Sequence, residues 1–198
     1  MDDNSKDVKI VALAGSLRKA SYNKRLVKIA VEGARRAGAK VTLIDLKDFP
    51  LTIFDQDIED ESGIPENGVK LKELFKASDG FIISSPEYNS ALSGALKNVI
   101  DWTSRPYADE KVLECFRGKT AVLMSASPGA LGGLRGLFVL RSILQNIGTM
   151  VVPEQMAISK ADTAFKDDGS LVDDRHQKKV ENLGIKLTET ISKLKGSS

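Results

Sequence analysis

The chain predicts an α/β fold built on a parallel sheet, and three observations carry that prediction. Short apolar runs recur at strand length, VKIVALA at 8–14, VTLIDL at 41–46 and FIISS at 81–85, the first of them nearly continuous, as expected where both sheet faces are covered. Stretches with apolar residues at helical spacing lie between these runs. Two polar loops begin where the first and third runs end, which is where doubly wound sheets bind their ligands.

The first of these loops organises the rest. Gly15 permits a sharp turn out of the strand, and Ser16, Arg18, Ser21 and Asn23 then cluster where the first unpaired N–H groups of a helix should point. Hydroxyls, an amide, a guanidinium and the positive end of a helix suit a phosphate. The loop has neither G-x-x-x-x-G-K-[ST] nor G-x-G-x-x-G, which disfavours a nucleoside triphosphate and a dinucleotide of the Rossmann type. A phosphate monoester fits better. The alternative reading is an ordinary strand-to-helix turn with a Ser or Asn cap.

Composition narrows the partners. The 198 residues suit one domain, with 41% hydrophobic and 28% charged residues and a net charge of +2. Such mixed, nearly neutral charge leaves no footprint for nucleic acid. One cysteine, Cys115, excludes an intramolecular disulfide and a multi-cysteine metal site. No apolar run approaches the roughly 18 residues that span a bilayer, and the leading MDDNSKD is polar and acidic rather than signal-like. The expectation is a cytoplasmic protein with a disordered lead at 1–7 and a single domain over 8–195, acting on small molecules.

After the first loop, Leu26, Ile29, Ala30, Gly33 and Ala37 take helical spacing and Gly38 stops the helix, completing a βαβ unit with the second strand. Asp45, at the end of that strand, reads as a helix cap or solvent-facing acid in preference to a ribose-binding one. Residues 47–65 read as a long irregular connection that forms a rim or interface. Val69, Leu71, Leu74, Phe75 and Ala77 supply a short helix before the third strand. Leu92, Leu96, Val99, Ile100 and Thr103 supply another after the second polar loop. In that loop Pro86 stiffens the chain, Tyr88 offers an aromatic surface, and Glu87 and Asn89 add polar groups, a set that suits a flat heterocycle. Trp102 and Cys115 read as packing residues, and His176, inside DDRHQKK, as a surface residue.

These residues resemble the NAD(P)H-dependent FMN reductase family, which includes bacterial chromate and quinone reductases and plant quinone reductases. Three motifs carry the resemblance, GSLRKASYN at 15–23, PEYN with GALKNVIDW at 86–102, and SASPGALGGLRG at 125–136. It implies a flavodoxin-like three-layer fold with a five-stranded parallel sheet in the order 2-1-3-4-5. It also implies FMN as cofactor and NADPH or NADH as co-substrate, with the phosphate on Ser16, Arg18, Ser21 and Asn23. The ring would be bordered by Pro86, Glu87, Tyr88 and Asn89, and closed on its other side by Ser125 to Gly129, including Ser127. The family commonly has Pro-Gly where this chain has Ser93-Gly94, which predicts a looser start to the following helix.

The remaining elements agree with that topology: a fourth strand at 119–124, a glycine-rich loop with Gly129, Gly132, Gly133 and Gly136, a helix bearing Leu137, Leu140, Leu144 and Ile147, a fifth strand at 149–152, a polar excursion at 159–175, and a closing amphipathic helix from Val180 to Leu194. By resemblance the chain is an oxidoreductase that takes hydride from NAD(P)H on FMN and passes electrons to a quinone, chromate, an azo compound, a ferric chelate or free flavin. The flavin carries the chemistry, so no catalytic side chain is assigned. A flavodoxin-like electron carrier is the alternative, disfavoured by the even charge and the missing T-x-T-G-x-T, and a flavin-binding sensor, or a binding protein that has lost the flavin, is a third. A homodimer or homotetramer is expected through 47–65, Arg105 to Val112 and the helix after Gly136, with Arg135, Arg141 and Glu154 as candidates for cross-subunit ion pairs. Arg18, Lys19 and the basic positions around Arg105 and Arg135 favour NADPH modestly over NADH.

Overall fold

The computed structural model describes residues 7–196, so the expected lead, apart from Asp7, lies outside the described residues. Strand β1 (Lys9–Ala14) feeds helix α1 (Tyr22–Arg36), and strand β2 (Lys40–Asp45) returns to the sheet edge. Helices α2 (Gln56–Ser62) and α3 (Glu66–Lys76) lead into β3 (Gly80–Ser84). A hairpin of β4 (Glu87–Tyr88) and β5 (Ala91–Leu92) precedes α4 (Gly94–Ser104). Strand β6 (Thr120–Ala126), helix α5 (Leu134–Asn146), strand β7 (Met150–Ile158) and helix α6 (Asp174–Gly196) complete the chain.

The main sheet is wholly parallel, in the order β2-β1-β3-β6-β7. Counting only its five strands, that is the 2-1-3-4-5 arrangement of flavodoxin-like folds. Alternation along each strand divides the interior into two cores. Ile10, Ala12 and Ala14 of β1 join Ile82, Val122 and Met124 under α1 and α6. Val11 and Leu13 join Phe81, Ile83, Ala121 and Leu123 under α3, α4 and α5. Three layers result.

The two helices of the first layer cross at glycines. A Cβ on Gly184 would meet the Ala30 carbonyl oxygen at 1.9 Å, and one on Gly33 would meet the Glu181 oxygen at 2.0 Å. This close approach fixes where the N-terminus of α1 points.

Several boundaries differ from the sequence expectation, each for a local reason. Leu92 belongs to β5 rather than to α4, because Asn89 and Ser90 at φ 50° and 66° make a two-residue turn that folds the loop back on itself. The connection 47–65 contains α2, whose Asp55 cap accepts from the Asp57 N–H. Trp102 anchors that connection: its side chain is fully buried, its Nε1 donates to the Thr52 carbonyl at 2.8 Å, and its ring meets Phe54 edge-on. The packing reading of Trp102 holds. Cys115 is likewise buried, and burial pushes its thiol pKa up.

Strand β7 runs on to Ile158 instead of stopping at 152. A register shift opposite Ala121 and Leu123 lets it continue past Pro153, which has no N–H to offer a ladder.

The segment between α4 and β6 is pinned from inside. Lys72 is buried, and its ammonium donates to the carbonyls of Thr103 and Arg105 at 3.2 and 2.6 Å and lies 2.8 Å from Glu110. Lys76 reaches the other oxygen of Glu110 at 2.6 Å. Burial pushes the Glu110 carboxyl up, but the two ammoniums outweigh it and hold it below its ordinary pKa.

Candidate active site

The ends of β1, β3 and β6 are bound together before any ligand is considered. The Gly15 N–H donates to the Ser84 carbonyl at 2.8 Å, and the Ser85 N–H to the Met124 carbonyl at 2.9 Å. Asn23, buried at the start of α1, donates from Nδ2 to the Ala126 carbonyl at 2.9 Å. Its Oδ1 accepts the Ala126 N–H at 3.0 Å and the Ser84 hydroxyl at 2.9 Å. One amide side chain therefore joins the first loop to two strands.

Above this junction lies a small cavity of about 80 Å³. Ser16, Arg18 and Ser21 line one side, Pro86, Glu87 and Tyr88 another, and Ala126, Ser127 and Pro128 a third. The three sequence motifs meet here. Ser21 caps α1, accepting the Lys24 N–H at 3.4 Å, and Ser16 accepts the Arg18 N–H at 3.3 Å. The first i→i−4 bond of the helix is made by the Arg25 N–H to the Ser21 carbonyl, so the N–H groups of Tyr22 and Asn23 precede the helical ladder. Arg18 is exposed and its guanidinium has no ion-pair partner among the described residues.

The second motif is held at a set angle. Tyr88 is 53% exposed on the hairpin. Glu87 turns its carboxylate toward α5, accepting the Gly136 N–H at 3.0 Å and pairing with Arg135 at 2.7 Å. Burial pushes the Glu87 carboxyl up, while the Gly136 N–H and Arg135 more than compensate and hold it below its usual range. A Cβ at Gly136 would stand 3.1 Å from the Ala91 oxygen, so the bare backbone lets hairpin and helix approach. The Ser93 hydroxyl accepts the Leu96 N–H at 3.1 Å and donates to the Gly15 carbonyl. The expected looser start of α4 is not found, because serine caps the helix and ties it to the first loop.

Not every expected residue lines the cavity. Asn89 sits at the exposed tip of the hairpin, in the turn. Gly129 is exposed beside the lining, its N–H directed to the Ser127 hydroxyl at 3.3 Å. Ser125 is fully buried beneath Gly133, and its hydroxyl has no hydrogen-bond partner in the structure. Tyr22 lines the cavity and was not anticipated. Its ring stacks on Phe165 at 6.0 Å, and Arg25 lies over the Phe165 ring, so the polar excursion folds down beside the site. No sequence signal joins Tyr22 to a residue so far along the chain.

Other expectations resolve more simply. Asp45 caps the turn that follows it, accepting the Lys47 N–H at 3.0 Å, and pairs with Lys24 at 2.6 Å. His176 is exposed beside Asp173. Arg135, Arg141 and Glu154 all have partners within the chain: Glu87, the carbonyls of Val151 and Pro153, and Lys186 respectively. Among the described residues no group of three His, Cys, Asp or Glu side chains is placed to hold a metal ion, and no helix is long and apolar enough to cross a membrane.

Residues 8–163 match the family model described as NADPH-dependent FMN reductase. The chain belongs to that family. It is 33% identical over 194 residues to an NAD(P)H-dependent FMN reductase of Pseudomonas aeruginosa, covering 97% of this chain and 100% of that one. It is 36% identical over 154 residues to a quinone reductase of Escherichia coli K12, covering 77% and 78%. Among solved structures, the flavoenzyme NAD(P)H:(acceptor) oxidoreductase FerB of Paracoccus denitrificans superposes with a TM-score of 0.78 at 29% identity, over 94% of this chain and 98% of that one. Membership in the NADPH-dependent FMN reductase family makes the chain an oxidoreductase, and the family match spans all three motifs of the cavity.

Proposed function

We propose that this chain is an FMN-dependent NAD(P)H oxidoreductase that passes electrons to a small acceptor. The observation that carries the reading is the meeting, beyond β1, β3 and β6, of an anion-binding helix start with two loops that present flat side chains. The donor set fits the cofactor. Ser16, Arg18, Ser21 and the Tyr22 N–H match a phosphate monoester, and the small enclosed volume leaves the ring outside, between Pro86 and Tyr88 on one side and Ser127 to Gly129 on the other. Bound FMN supplies the hydride acceptance and the electron release.

The chain's own part is binding and orientation. Arg18 neutralises the phosphate, Asn23 keeps the two loops in register, and Glu87 sets the hairpin so that Tyr88 faces the ring. Backbone groups near Tyr88 and Asn89 meet the ring's polar edge. The titratable groups of the lining are Arg18, Tyr22, Glu87 and Tyr88, and Glu87 is taken up by Arg135 and the Gly136 N–H, so no side chain is assigned a proton-transfer step.

Quinone as acceptor is supported by the relative named quinone reductase; chromate, azo compounds, ferric chelates and free flavin follow from the sequence resemblance. NADPH is favoured modestly, since Lys19, next to the Arg18 given to FMN, is exposed and free of ion pairs among the described residues, whereas Arg105 and Arg135 are engaged by Glu59 and Glu87. A homodimer or homotetramer is supported by exposed Ile53, Val112 and Phe138, one on each of the three expected segments. A cytoplasmic location completes the reading.

The test is spectroscopic. Apoprotein given FMN should take it up, lose its visible band on addition of NADPH, and regain it with a quinone. Failure to bind FMN, or a band indifferent to NADPH and NADH alike, overturns the proposal.

A further inference from the structure

A second cavity is larger than the one built by the three motifs. About 510 Å³ in volume, it lies across the first loop, between the start of α1 and the edge strand β2, and shares Ser21 with the smaller site. Its size is that of a site for a small ligand. Val41 and Leu43 stand on the α1 face of β2 while Ile44 faces the other core. Helix α1 leaves Leu43 incompletely covered, 37% exposed, and with Ala14 and Val27 it makes an apolar floor.

The rim is polar and predominantly basic, with Lys19, Lys24, Arg25 and Lys28 facing Asp45 and Asp48. Two of the four cations are engaged: Lys24 pairs with Asp45, and Arg25 donates to the Lys166 carbonyl. Lys19 and Lys28 have no ion pair or side-chain hydrogen bond among the described residues.

We infer that this groove takes a nucleoside 5′-phosphate group, an adenylate, beside the flavin phosphate site. The aliphatic floor, led by Leu43, suits one face of a flat purine, the free ammoniums of Lys19 and Lys28 suit a phosphate, and Asp45 stands at the carboxyl end of β2. That is the place in a doubly wound sheet where a carboxylate accepts from ribose hydroxyls. Asp45 is committed to Lys24 and Lys47 through one contact on each oxygen, and each oxygen keeps a further lone pair for a hydroxyl. The same chemistry is carried by the adenylate half of FAD, whose flavin end would use the smaller site, and by the adenylate half of the nicotinamide coenzyme. The inference of an FAD or coenzyme source rests on the flavin reading above; adenylate binding does not.

The experiment titrates 5′-AMP into FMN-saturated protein and, in parallel, into apoprotein, by calorimetry. Binding is expected in both. Lys28→Glu should weaken AMP about tenfold and leave adenosine and FMN unchanged; Leu43→Glu should weaken AMP and adenosine alike. Both positions are on the surface, so folding should survive, as circular dichroism would show. An apoprotein that prefers FAD to FMN, with the preference lost in Lys28→Glu, assigns the groove to the flavin. AMP inhibition competitive with NADH, whose adenylate ribose keeps both hydroxyls for Asp45, assigns it to the coenzyme. If AMP binds to neither form, or binds with no loss in either variant, the inference is overturned. Apoprotein that rejects FMN yet binds AMP overturns the flavin reading and leaves the groove standing.

Discussion

The Ser93 hydroxyl donates to the Gly15 carbonyl across 78 residues of sequence. It also accepts the Leu96 N–H, so the start of α4 and the turn that opens the first loop share one oxygen. Two loops that would otherwise move independently are therefore positioned together. Ser93→Ala should destabilise the protein by about 1 kcal/mol through the lost cap, read by urea denaturation, and should weaken FMN binding several-fold by loosening Gly15. Unchanged stability would show that the hydroxyl contributes neither link.

Substitution of Arg18 tests whether phosphate and ring are recognised separately. A charge-assisted hydrogen bond contributes about 1.5–3 kcal/mol, so Arg18→Ala should lower FMN affinity roughly tenfold to a hundredfold and leave riboflavin unaffected. Tyr88→Ala should weaken both. Quenching of flavin fluorescence on titrating apoprotein measures the four affinities, and equal losses of FMN and riboflavin in Arg18→Ala would remove the phosphate role.

Acid should release the segment that Glu110 pins. Because the folded state holds this carboxyl below its ordinary pKa, its contribution is complete above the unfolded value, near 4.3, and is lost as pH falls through the lower folded value. At pH 7 Glu110→Gln leaves Lys72 buried without its counter-charge, at a cost of about 3–5 kcal/mol. Denaturation of the two proteins at pH 7 and near pH 3 should show that gap narrowing in acid. A gap that is constant with pH would mean that packing, not charge, holds the segment.

The crossing of α1 and α6 tolerates no side chain at Gly184. With the Ala30 oxygen 1.9 Å from where a Cβ would be, Gly184→Ala must push the helices apart, at a cost at or above the usual 1–3 kcal/mol of overpacking. Thermal unfolding checks the loss, and because α1 carries Ser21 and Asn23, FMN affinity should fall with it.

What the sequence made legible follows from the range of the forces involved. The apolar runs of β1 and β3 and the Gly38 stop are local signals, and each is where periodicity and turn chemistry put it; Ser21 takes the cap that the alternative reading of the loop left to a Ser or Asn. Ser16, Arg18, Ser21 and Asn23 could be grouped because they stand within eight positions of one another, and all four line one cavity. Asn23 could be placed near the site but its task could not, since its partner Ala126 is 103 residues away. The hairpin of β4 and β5 has two residues per strand, too few for alternation to show. The groove beside β2 has no local signature in the sequence because it exists only where α1 fails to cover Leu43, a matter of helix placement.

Strand β7 bears on how copies of the chain can meet. It forms one border of the sheet, and Pro153 and the register shift interrupt it midway. A border with a missing N–H and a broken repeat makes a poor template for a further strand. Prolongation of the sheet by a second copy is disfavoured at that border, which leaves side-chain packing between helices and loops as the better-suited way for copies to meet on that side.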